Sequence, residues 1–231
     1  MAIVSWSHRY LFLQAPRTGC TAVARGVLIP HLGGERLPAD HIVDAAGRRV
    51  VHAKHAYLPT LLAHGVITEE QLASLFTFST VRNPFDREVS LYTKMRSAPY
   101  DEKVGSPQYH RNQPADAQDA HWARSMSFSD WVVRRWCRRT PFGLRVDTSR
   151  HPWLAAGGHA RDAQFVMRFE HLQADFDEAL DRIGVTQHYD IPIVNVTQGR
   201  QHDYRTYYTP KARRVIETVF APDLQQHGYE F

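Results

Sequence analysis

The stretch QAPRTGCTAVAR, from Gln14 to Arg25, decides the fold because it joins an apolar strand to a helix through a loop. The YLFLQ run at its start (Tyr10–Gln14) is short and apolar and is followed by proline and glycine, as is typical of a buried strand. The residues Thr21–Ile29 then predict a helix. In an open parallel sheet, ligands bind beyond the carboxyl ends of the strands, where this loop would lie.

The loop carries the residue types of an anion site. Backbone N–H groups converge at the N-terminus of a helix, and Gly19 lets a ligand approach the backbone closely. Thr18 and Thr21 add hydroxyl donors, and Arg17 adds a permanent, fork-shaped positive charge that suits phosphate oxygens. The chain lacks the G-x-x-x-x-G-K-[ST] signature of nucleoside triphosphatases. Taken alone, the loop also fits a plain strand–helix turn that contains an arginine.

A second segment, VRNPFDREVSLY from Val81 to Tyr92, repeats the arrangement of strand and helix N-terminus. Asn83 is a good N-cap, and Arg82 stands at the junction. Ser90 lies two helical turns beyond Asn83 and on the same face, since an α-helix has about 3.6 residues per turn. Arg82 and Ser90 are therefore expected to converge on a second anion. Two anion sites at two strand ends indicate one ligand with two separated phosphates.

Strands alternate with helices along the chain, which predicts an α/β fold with a parallel β-sheet flanked by helices. The predicted strands are Tyr10–Gln14, Arg49–Ala53, Phe76–Val81 and Gln164–Phe169. The predicted helices are Thr21–Ile29, 57–64, 68–75, a helix that begins after Asn83, Phe128–Arg139, Glu170–Ile183, and a last helix from Pro210 to about Leu224. No linker divides the chain, so residues 1–231 are expected to form one domain. Residues 97–125, rich in Pro, Asp, Asn and Gln, are expected to be a mobile surface loop within it.

The composition limits the class of protein. The chain has 231 residues, of which 43% are hydrophobic, and a formal net charge of +4. This slight basic excess favours anionic partners but no nucleic acid, since no nucleic-acid motif accompanies it. The two cysteines, Cys20 and Cys137, are far apart, which favours a reducing compartment over a disulfide framework. The first residues have neither the apolar run of a membrane anchor nor the layout of a signal peptide, so a cytoplasmic protein is expected.

The two segments together resemble the sulfotransferases, and more narrowly their carbohydrate and related bacterial members. The motifs are P-[KR]-T-G-x-[ST] after the first strand and R-[ND]-P-x-x-R-x-x-S-x-Y after a later one. The resemblance implies 3′-phosphoadenosine 5′-phosphosulfate (PAPS) as the sulfate donor and requires no metal. It assigns the 3′-phosphate to Arg82 and Ser90. It assigns the 5′-phosphosulfate to Arg17, Thr18, Gly19, Cys20, Thr21 and Ala22.

The resemblance extends more weakly to KHAYL (Lys54–Leu58) and to the closing segment from Tyr207 to Phe231, and it fails over about 97–160. Arg17 stands where many members have lysine, so it can neutralise charge on the leaving phosphate. It cannot donate a proton, because its pKa lies above about 12. We keep Arg17 as a catalytic residue.

An alcohol acceptor needs a general base, and histidine is the first candidate. His55 follows a predicted strand and matches a histidine that serves as the base in one carbohydrate branch of the family. His52 is the near alternative, and Glu35 is a third candidate because other branches use glutamate. With 14 histidines in the chain, a histidine near a strand end is also expected by chance. A metal pair at His52 and His55 is disfavoured because no third ligand is evident.

Two further segments carry weaker indications. The polar residues Asn195–Tyr204 stand where relatives close over the nucleotide, so Gly199 and Arg200 are candidates for contact with the 3′-phosphate or adenine. A solvated polar loop explains the segment as well. The stretch from Trp131 to Arg145 is basic and aromatic. It predicts an amphipathic helix with an arginine-rich solvent face, and contact with an acidic acceptor or a membrane surface is the alternative.

The predicted function is transfer of a sulfuryl group from PAPS to a hydroxyl acceptor. A glycan or glycolipid is the favoured acceptor, and a small molecule is the alternative. A nucleotide kinase on a similar fold is the first alternative, although the phosphate-loop lysine that it needs is absent. A non-catalytic nucleotide-binding protein is the second. The sequence leaves the acceptor and the oligomeric state open.

Overall fold

The computed structural model describes residues 2–97, 100, 106–194 and 199–231. These residues form two compact units, Met1–Arg82 with Gly158–Val196, and Asn83–Gly157 with Thr197–Phe231. The strands are β1 (Ala2–Ser5), β2 (Tyr10–Leu13), β3 (Glu35–Leu37), β4 (Ile42–Val43), β5 (Arg49–Val51), β6 (Phe76–Val81), β7 (Cys137–Thr140), β8 (Gly143–Val146) and β9 (Phe165–Arg168).

The helices lie between and after these strands, with a run of helices between β6 and β7. The α-helices are Cys20–Val23, Ile29–His31, Leu58–Ala63, Glu69–Ala73, Pro84–Met95, Pro107–Asn112, Pro114–Ser125, Phe128–Trp136, Pro152–Ala155, Leu172–Arg182, Pro210–Val219 and Ala221–His227. A π-helical segment, Ala24–Leu28, joins the first two into one continuous helical stretch. Single 3₁₀ turns occupy Ala160–Asp162, Phe169–His171 and Tyr204–Tyr207.

The first unit is built on a five-stranded sheet in the order β3-β1-β2-β6-β9. β2, β6 and β9 are parallel, which confirms the predicted α/β sheet at the strands that carry the two motifs. β1 and β3 are antiparallel additions that the sequence analysis missed. β1 runs into β2 through a four-residue turn, and a hairpin of this kind needs no crossover helix.

Burial on both faces of the sheet explains the continuous apolar run of β2. Tyr10 and Phe12 pack on one face against the helical stretch after the loop and the Leu172–Arg182 helix. Leu11 and Leu13 pack on the other face against residues that include Leu58 and Leu61. All four β2 side chains are buried, as is typical of a parallel strand covered on both faces.

The predicted strand at residues 49–53 forms, but outside the main sheet. β5 pairs only with β4 in a separate two-stranded hairpin. The Asp44 carboxylate closes its turn, because Oδ1 accepts hydrogen bonds from the backbone N–H groups of Ala46 and Arg48, both at 2.9 Å. This local turn lets the strand pair with its sequence neighbour.

The second unit is mainly helical. The predicted N-cap is confirmed, since the Asn83 side chain accepts a hydrogen bond from the Phe85 N–H at 3.0 Å. Phe85 and Val89 of this helix pack into a core with Trp131, Trp136 and other buried side chains.

Two predictions in the second unit are wrong. Within the predicted loop 97–125, residues 107–112 and 114–125 are helical, and each helix begins at a proline in a position that suits the first turn. Residues 98–99 and 101–105 of that segment lie outside the described residues. The helix predicted to reach Arg139 ends at Trp136 instead, because β7 and β8 form a hairpin with Pro141 and Phe142 at its turn. No helix in the described part of the chain is both long and apolar enough to cross a membrane.

Candidate active site

The loop after β2 is held by hydrogen bonds between its own residues. The Gln14 side chain is buried, and its Nε2 donates to the Cys20 carbonyl oxygen at 3.2 Å. The Thr18 hydroxyl donates to the Ala15 carbonyl oxygen at 2.8 Å and also bonds the Thr80 hydroxyl of β6. The loop is therefore fixed at both ends before any ligand binds.

Two residues of the loop have left-handed backbone. Arg17 has φ of 65° and Gly19 has φ of 78°. A non-glycine residue in this region is uncommon and is often found at functional sites. Gly19 is required here for space as well, because a Cβ atom would lie 2.7 Å from Leu172 Cδ2. The glycine of the motif thus has a structural reason independent of any ligand.

Arg82 supports the strained residue Arg17. Its Nη1 donates to the Arg17 carbonyl oxygen at 3.1 Å, and its guanidinium stacks over the Phe169 ring at 4.1 Å from the ring centre. Arg82 is buried despite its charge. Arg82, the first residue of the second motif, therefore holds the backbone of the first motif within the first unit.

The loop presents backbone donors. Among the described residues, the backbone N–H groups of Gly19, Cys20 and Thr21 have no hydrogen-bond acceptor, as expected for the first turn of a helix. Such groups with the helix dipole attract anions. The Thr18 hydroxyl proton is already donated to Ala15, so its backbone N–H is the group left for a ligand. Burial raises the pKa of the Cys20 thiol, which makes it a packing residue and not a nucleophile.

His55 lies beside the residue that opens the loop. Its Nδ1–H donates to the Gln14 carbonyl oxygen at 2.9 Å, so the neutral ring carries its lone pair on Nε2. Burial lowers the pKa of His55 well below its usual value, and the nearby Lys54 charge acts in the same direction. His55 is therefore a neutral imidazole near pH 7, with an unprotonated Nε2. The expected reason for its position was wrong, because it follows a separate hairpin and not a strand of the main sheet.

His52 has the opposite hydrogen bonding. Its Nδ1 accepts from the Lys54 backbone N–H at 2.9 Å, so the neutral ring has its proton on Nε2. The rings of His52 and His55 are 6.0 Å apart. Glu35, the third candidate base, is exposed in the edge strand β3, which β1 separates from β2. Hydrogen bonding therefore distinguishes His55 from His52.

His159 was missed by the sequence analysis. It packs 6.3 Å from the His55 ring and 4.5 Å from the Tyr57 ring, between ring centres. It is 3% exposed, and burial lowers its pKa to about 3. Its Nε2 has no hydrogen-bond partner among the described residues. It comes from a segment without resemblance to any motif, and only a three-dimensional structure links it to His55.

Ser90 and Arg200 belong to the second unit. Ser90 is buried in the Pro84–Met95 helix. Arg200 forms an ion pair with Asp86 of the same helix. Residues 195–198, the start of the predicted nucleotide loop, lie outside the described residues. The assignment of Ser90 and Arg200 to the nucleotide stays a prediction.

Within the described residues, one group of three side chains has the spacing of metal ligands: Asp116, Asp119 and His151. Arg135 and Arg150 both pair with Asp119, which places cations where a metal would bind. This group is an ion-pair network of the second unit, and it includes neither His52 nor His55.

A model of the sulfotransferase family matches residues 2–230. The chain belongs to the sulfotransferase family. The match spans both motifs, the His52–His55 segment and the residues of both units. Membership supports transferase activity with sulfotransfer as its general chemistry. No curated protein and no solved structure that was compared with the chain matches it.

Proposed function

We propose that this sulfotransferase moves the sulfuryl group of PAPS to a hydroxyl of a carbohydrate or glycolipid, with His55 as the general base. One observation carries the proposal. The His55 Nδ1–H is bonded to the carbonyl oxygen of Gln14, so its basic Nε2 is held next to the anion-binding loop. A base and an anion site at one strand end are the two parts that this reaction needs.

The donor's 5′-phosphosulfate is assigned to the loop from Arg17 to Ala22. The backbone N–H groups of Gly19, Cys20 and Thr21 supply fixed dipoles, which stabilise developing negative charge without reorganisation. Arg17 supplies a full positive charge for the bridging and phosphate oxygens of the leaving group. The motifs alone assign the 3′-phosphate to Arg82 and Ser90 and a nucleotide contact to Arg200.

The reaction then requires an in-line displacement at sulfur. The acceptor oxygen forms a bond to sulfur as the bond between sulfur and the 5′-phosphate oxygen breaks, and adenosine 3′,5′-bisphosphate leaves. The proton of the acceptor hydroxyl passes to Nε2 of His55, while the Gln14 carbonyl holds the other ring nitrogen and stabilises the imidazolium. No metal takes part in this scheme.

His55 is favoured over His52 as the base because the two neutral rings carry their protons on different nitrogens. His52 directs its Nδ1 lone pair to the Lys54 N–H, so the neutral ring has no second lone pair for an acceptor. His52 is therefore assigned to the support of the segment that carries Lys54 and His55.

Nucleotide binding provides the first test. Titration calorimetry with adenosine 3′,5′-bisphosphate should show binding, and ATP with Mg²⁺ should bind much more weakly. Tighter binding of ATP with Mg²⁺ would favour the kinase alternative and remove PAPS from the proposal. Arg17→Ala should weaken bisphosphate binding and turnover together.

Sulfate transfer from labelled PAPS to a panel of glycans and glycolipids provides the second test. His55→Ala should reduce turnover by about 10²- to 10⁴-fold with bisphosphate affinity retained. His52→Ala, three residues earlier, is the matched control and should retain most activity. Equal losses in both variants would remove the distinction between the two rings. Bisphosphate binding without transfer to any acceptor would leave a nucleotide-binding protein that is not an enzyme.

A further inference from the structure

The β7–β8 hairpin of the second unit combines exposed apolar and cationic side chains. Phe142 at its turn is 98% exposed, and Leu144 and Val146 of β8 are exposed as well. The chain from Trp131 to Val146 contains five arginines and no acidic residue. The amphipathic-helix prediction therefore fails for the last part of this segment, where the same residues form a projecting hairpin.

The pairing of the two strands places like charges opposite each other. Arg138 is the direct cross-strand partner of Arg145, an arrangement that destabilises an isolated sheet. Arg138 has one acidic neighbour, Asp147, at 3.8 Å. Among the described residues, no carboxylate pairs with Arg139 or Arg145. A hairpin with this charge pattern is stabilised by an external anion.

The other face of the hairpin borders a groove of about 510 Å³. Leu144, Val146 and Val215 contribute apolar walls, and Lys211 and Arg214 of the Pro210–Val219 helix add positive charge. The groove thus has the same combination of apolar and cationic groups as the hairpin itself. Both features belong to the second unit and share no residue with the proposed catalytic loop.

We propose that this hairpin and groove form a peripheral binding surface for a membrane that contains anionic lipids. Arg139 and Arg145 each lie three residues from Phe142, which corresponds to at most roughly 10 Å along a strand. A side chain inserted at the boundary of headgroups and acyl chains reaches a depth of about 5–10 Å. Phe142 therefore enters the acyl region while the arginines lie at the level of the lipid phosphates.

Two other occupants fit the observations less well. A soluble acidic polymer would use the arginines but would leave Phe142 exposed to water. A second copy of the chain would bring the arginines of two hairpins together, and like charges oppose such contact. A lipid surface satisfies the charges and the aromatic tip at once.

Co-sedimentation with vesicles tests the proposal. The wild-type protein should bind vesicles of phosphatidylcholine mixed with phosphatidylglycerol, should not bind pure phosphatidylcholine, and should be released by high salt. The double variant Arg139→Ala/Arg145→Ala should lower the affinity by about 30-fold, and Phe142→Ser by about tenfold. Arg36→Ala/Arg48→Ala, which removes the same charge from exposed positions in the first unit, should change little.

Other results would overturn the proposal. Failure of the wild-type protein to bind anionic vesicles would do so, as would equal binding by the hairpin variants. Binding to dextran sulfate but not to vesicles would assign the surface to an acidic polymer, and a dimer that Phe142→Ser dissociates would assign it to a second copy. Phe142→Trp provides an independent measurement, since its fluorescence should shift to the blue with anionic vesicles. Circular dichroism and bisphosphate binding check that each variant is folded, so this result is separate from that of the proposed function.

Discussion

Each unit contains a cluster of buried polar side chains, and the two clusters differ in where their partners are. In the second unit, Asp119 is bonded by Arg135 and by His151, whose Nε2 lies 2.8 Å from Oδ2, and Arg135 Nε lies 3.3 Å from a Glu88 oxygen. The second unit has buried atoms without a hydrogen bond, but they include Asp119 Oδ1 and Arg135 Nε, which lie in ion pairs at 3.1 Å from Arg150 and 3.3 Å from Glu88. In the first unit, Gln14 Oε1 and His159 Nε2 are buried with neither a hydrogen bond nor an ion pair among the described residues. Buried polar groups are normally paired, so an exception needs an explanation.

The contrast separates groups that hold the fold from groups that are available to a ligand. Burial alone would raise the pKa of the Asp119 carboxyl, but the charge of Arg135 and the bonds to His151 and Arg150 hold that pKa below its usual value. For His55 and His159, burial dominates and keeps both rings neutral. The second unit stabilises charge internally, whereas the first unit maintains uncharged bases beside a loop of backbone donors.

The largest effect is expected from Asp119→Ala. The substitution removes the acceptor shared by three cationic or polar side chains and leaves the Arg135 guanidinium buried with less compensation. The free energy of unfolding should fall by about 3–5 kcal/mol in urea denaturation. The pH-dependent properties of His55 should be unaffected, because it belongs to the other cluster.

Glu217→Ala is the matched control for Asp119→Ala. Glu217 pairs with Arg213 at 2.7 Å on an exposed helix surface, and such pairs contribute at most about 1 kcal/mol. Equal losses in the two variants would show that the Asp119 network is no more important for the fold than a surface pair.

The sequence predicts the elements around the loop of the first unit, but it does not predict the contacts within either cluster of buried polar side chains. The loop, the β2 and β6 strands and the Asn83 cap follow from local signals, namely short apolar runs, glycine and an N-cap residue. The position of His55 was predicted from the wrong strand pairing, since β5 lies outside the main sheet. The hydrogen bond that positions His55 joins it to Gln14, 41 residues away, so no local pattern in the sequence indicates it.

Other features were missed because they depend on long-range packing. His159 and the Asp119 network bring together residues from separate segments, and polar residues in a polar segment resemble an ordinary solvated surface. The helices Pro107–Asn112 and Pro114–Ser125 were missed because their Pro, Asp and Gln content is typical of loops. Proline at the start of each helix is compatible with helix formation, and burial of Ala117 and Ala120 stabilises the second one.

The second largest effect concerns His159 and acid. Its folded pKa is about 3, against about 6.5 for an unfolded histidine, so the unfolded state binds more protons between these values. The stability from the neutral ring is fully present above about pH 6.5 and is lost as the pH falls toward 3. At about pH 4.5 the loss should be roughly 2–3 kcal/mol.

His159→Phe should remove this part of the acid sensitivity. Urea denaturation of both proteins at about pH 7.5 and about pH 4.5 measures it, and the variant should lose less stability than the wild type. His55 contributes in the same direction, so some sensitivity should remain. Identical losses in the two proteins would mean that His159 is not neutral in the folded state.

A smaller effect is expected from Gly19→Ala in the loop. Left-handed backbone costs about 1 kcal/mol for alanine, and the contact with Leu172 adds to that cost. Gly47→Ala is the control, because Gly47 also has a positive φ, of 72°, but its added Cβ would have no neighbour within 4 Å. Gly19→Ala should therefore lose more stability than Gly47→Ala, and it alone should weaken the binding of adenosine 3′,5′-bisphosphate. Equal bisphosphate affinities in the two variants would show that the backbone shape of the loop at Gly19 does not affect nucleotide binding.

The smallest effect is expected in the nuclear magnetic resonance signals of single histidine rings, followed as a function of pH. In protein with ¹⁵N-labelled histidines, the His55 ring should stay neutral well below pH 6.5 because burial lowers its pKa, and its proton should be on Nδ1 because that nitrogen donates to the Gln14 carbonyl. His188 is the internal reference, since its bond to Asp190 and the nearby Asp177 charge raise its pKa. The His55 signal is assigned by its absence in His55→Ala. If His55 titrates together with His188, the ring is not kept neutral by burial. If it carries its proton on Nε2, the ring is not held by the Gln14 carbonyl. The contrast between an uncharged base in the first unit and compensated charges in the second would then be wrong at its most important residue.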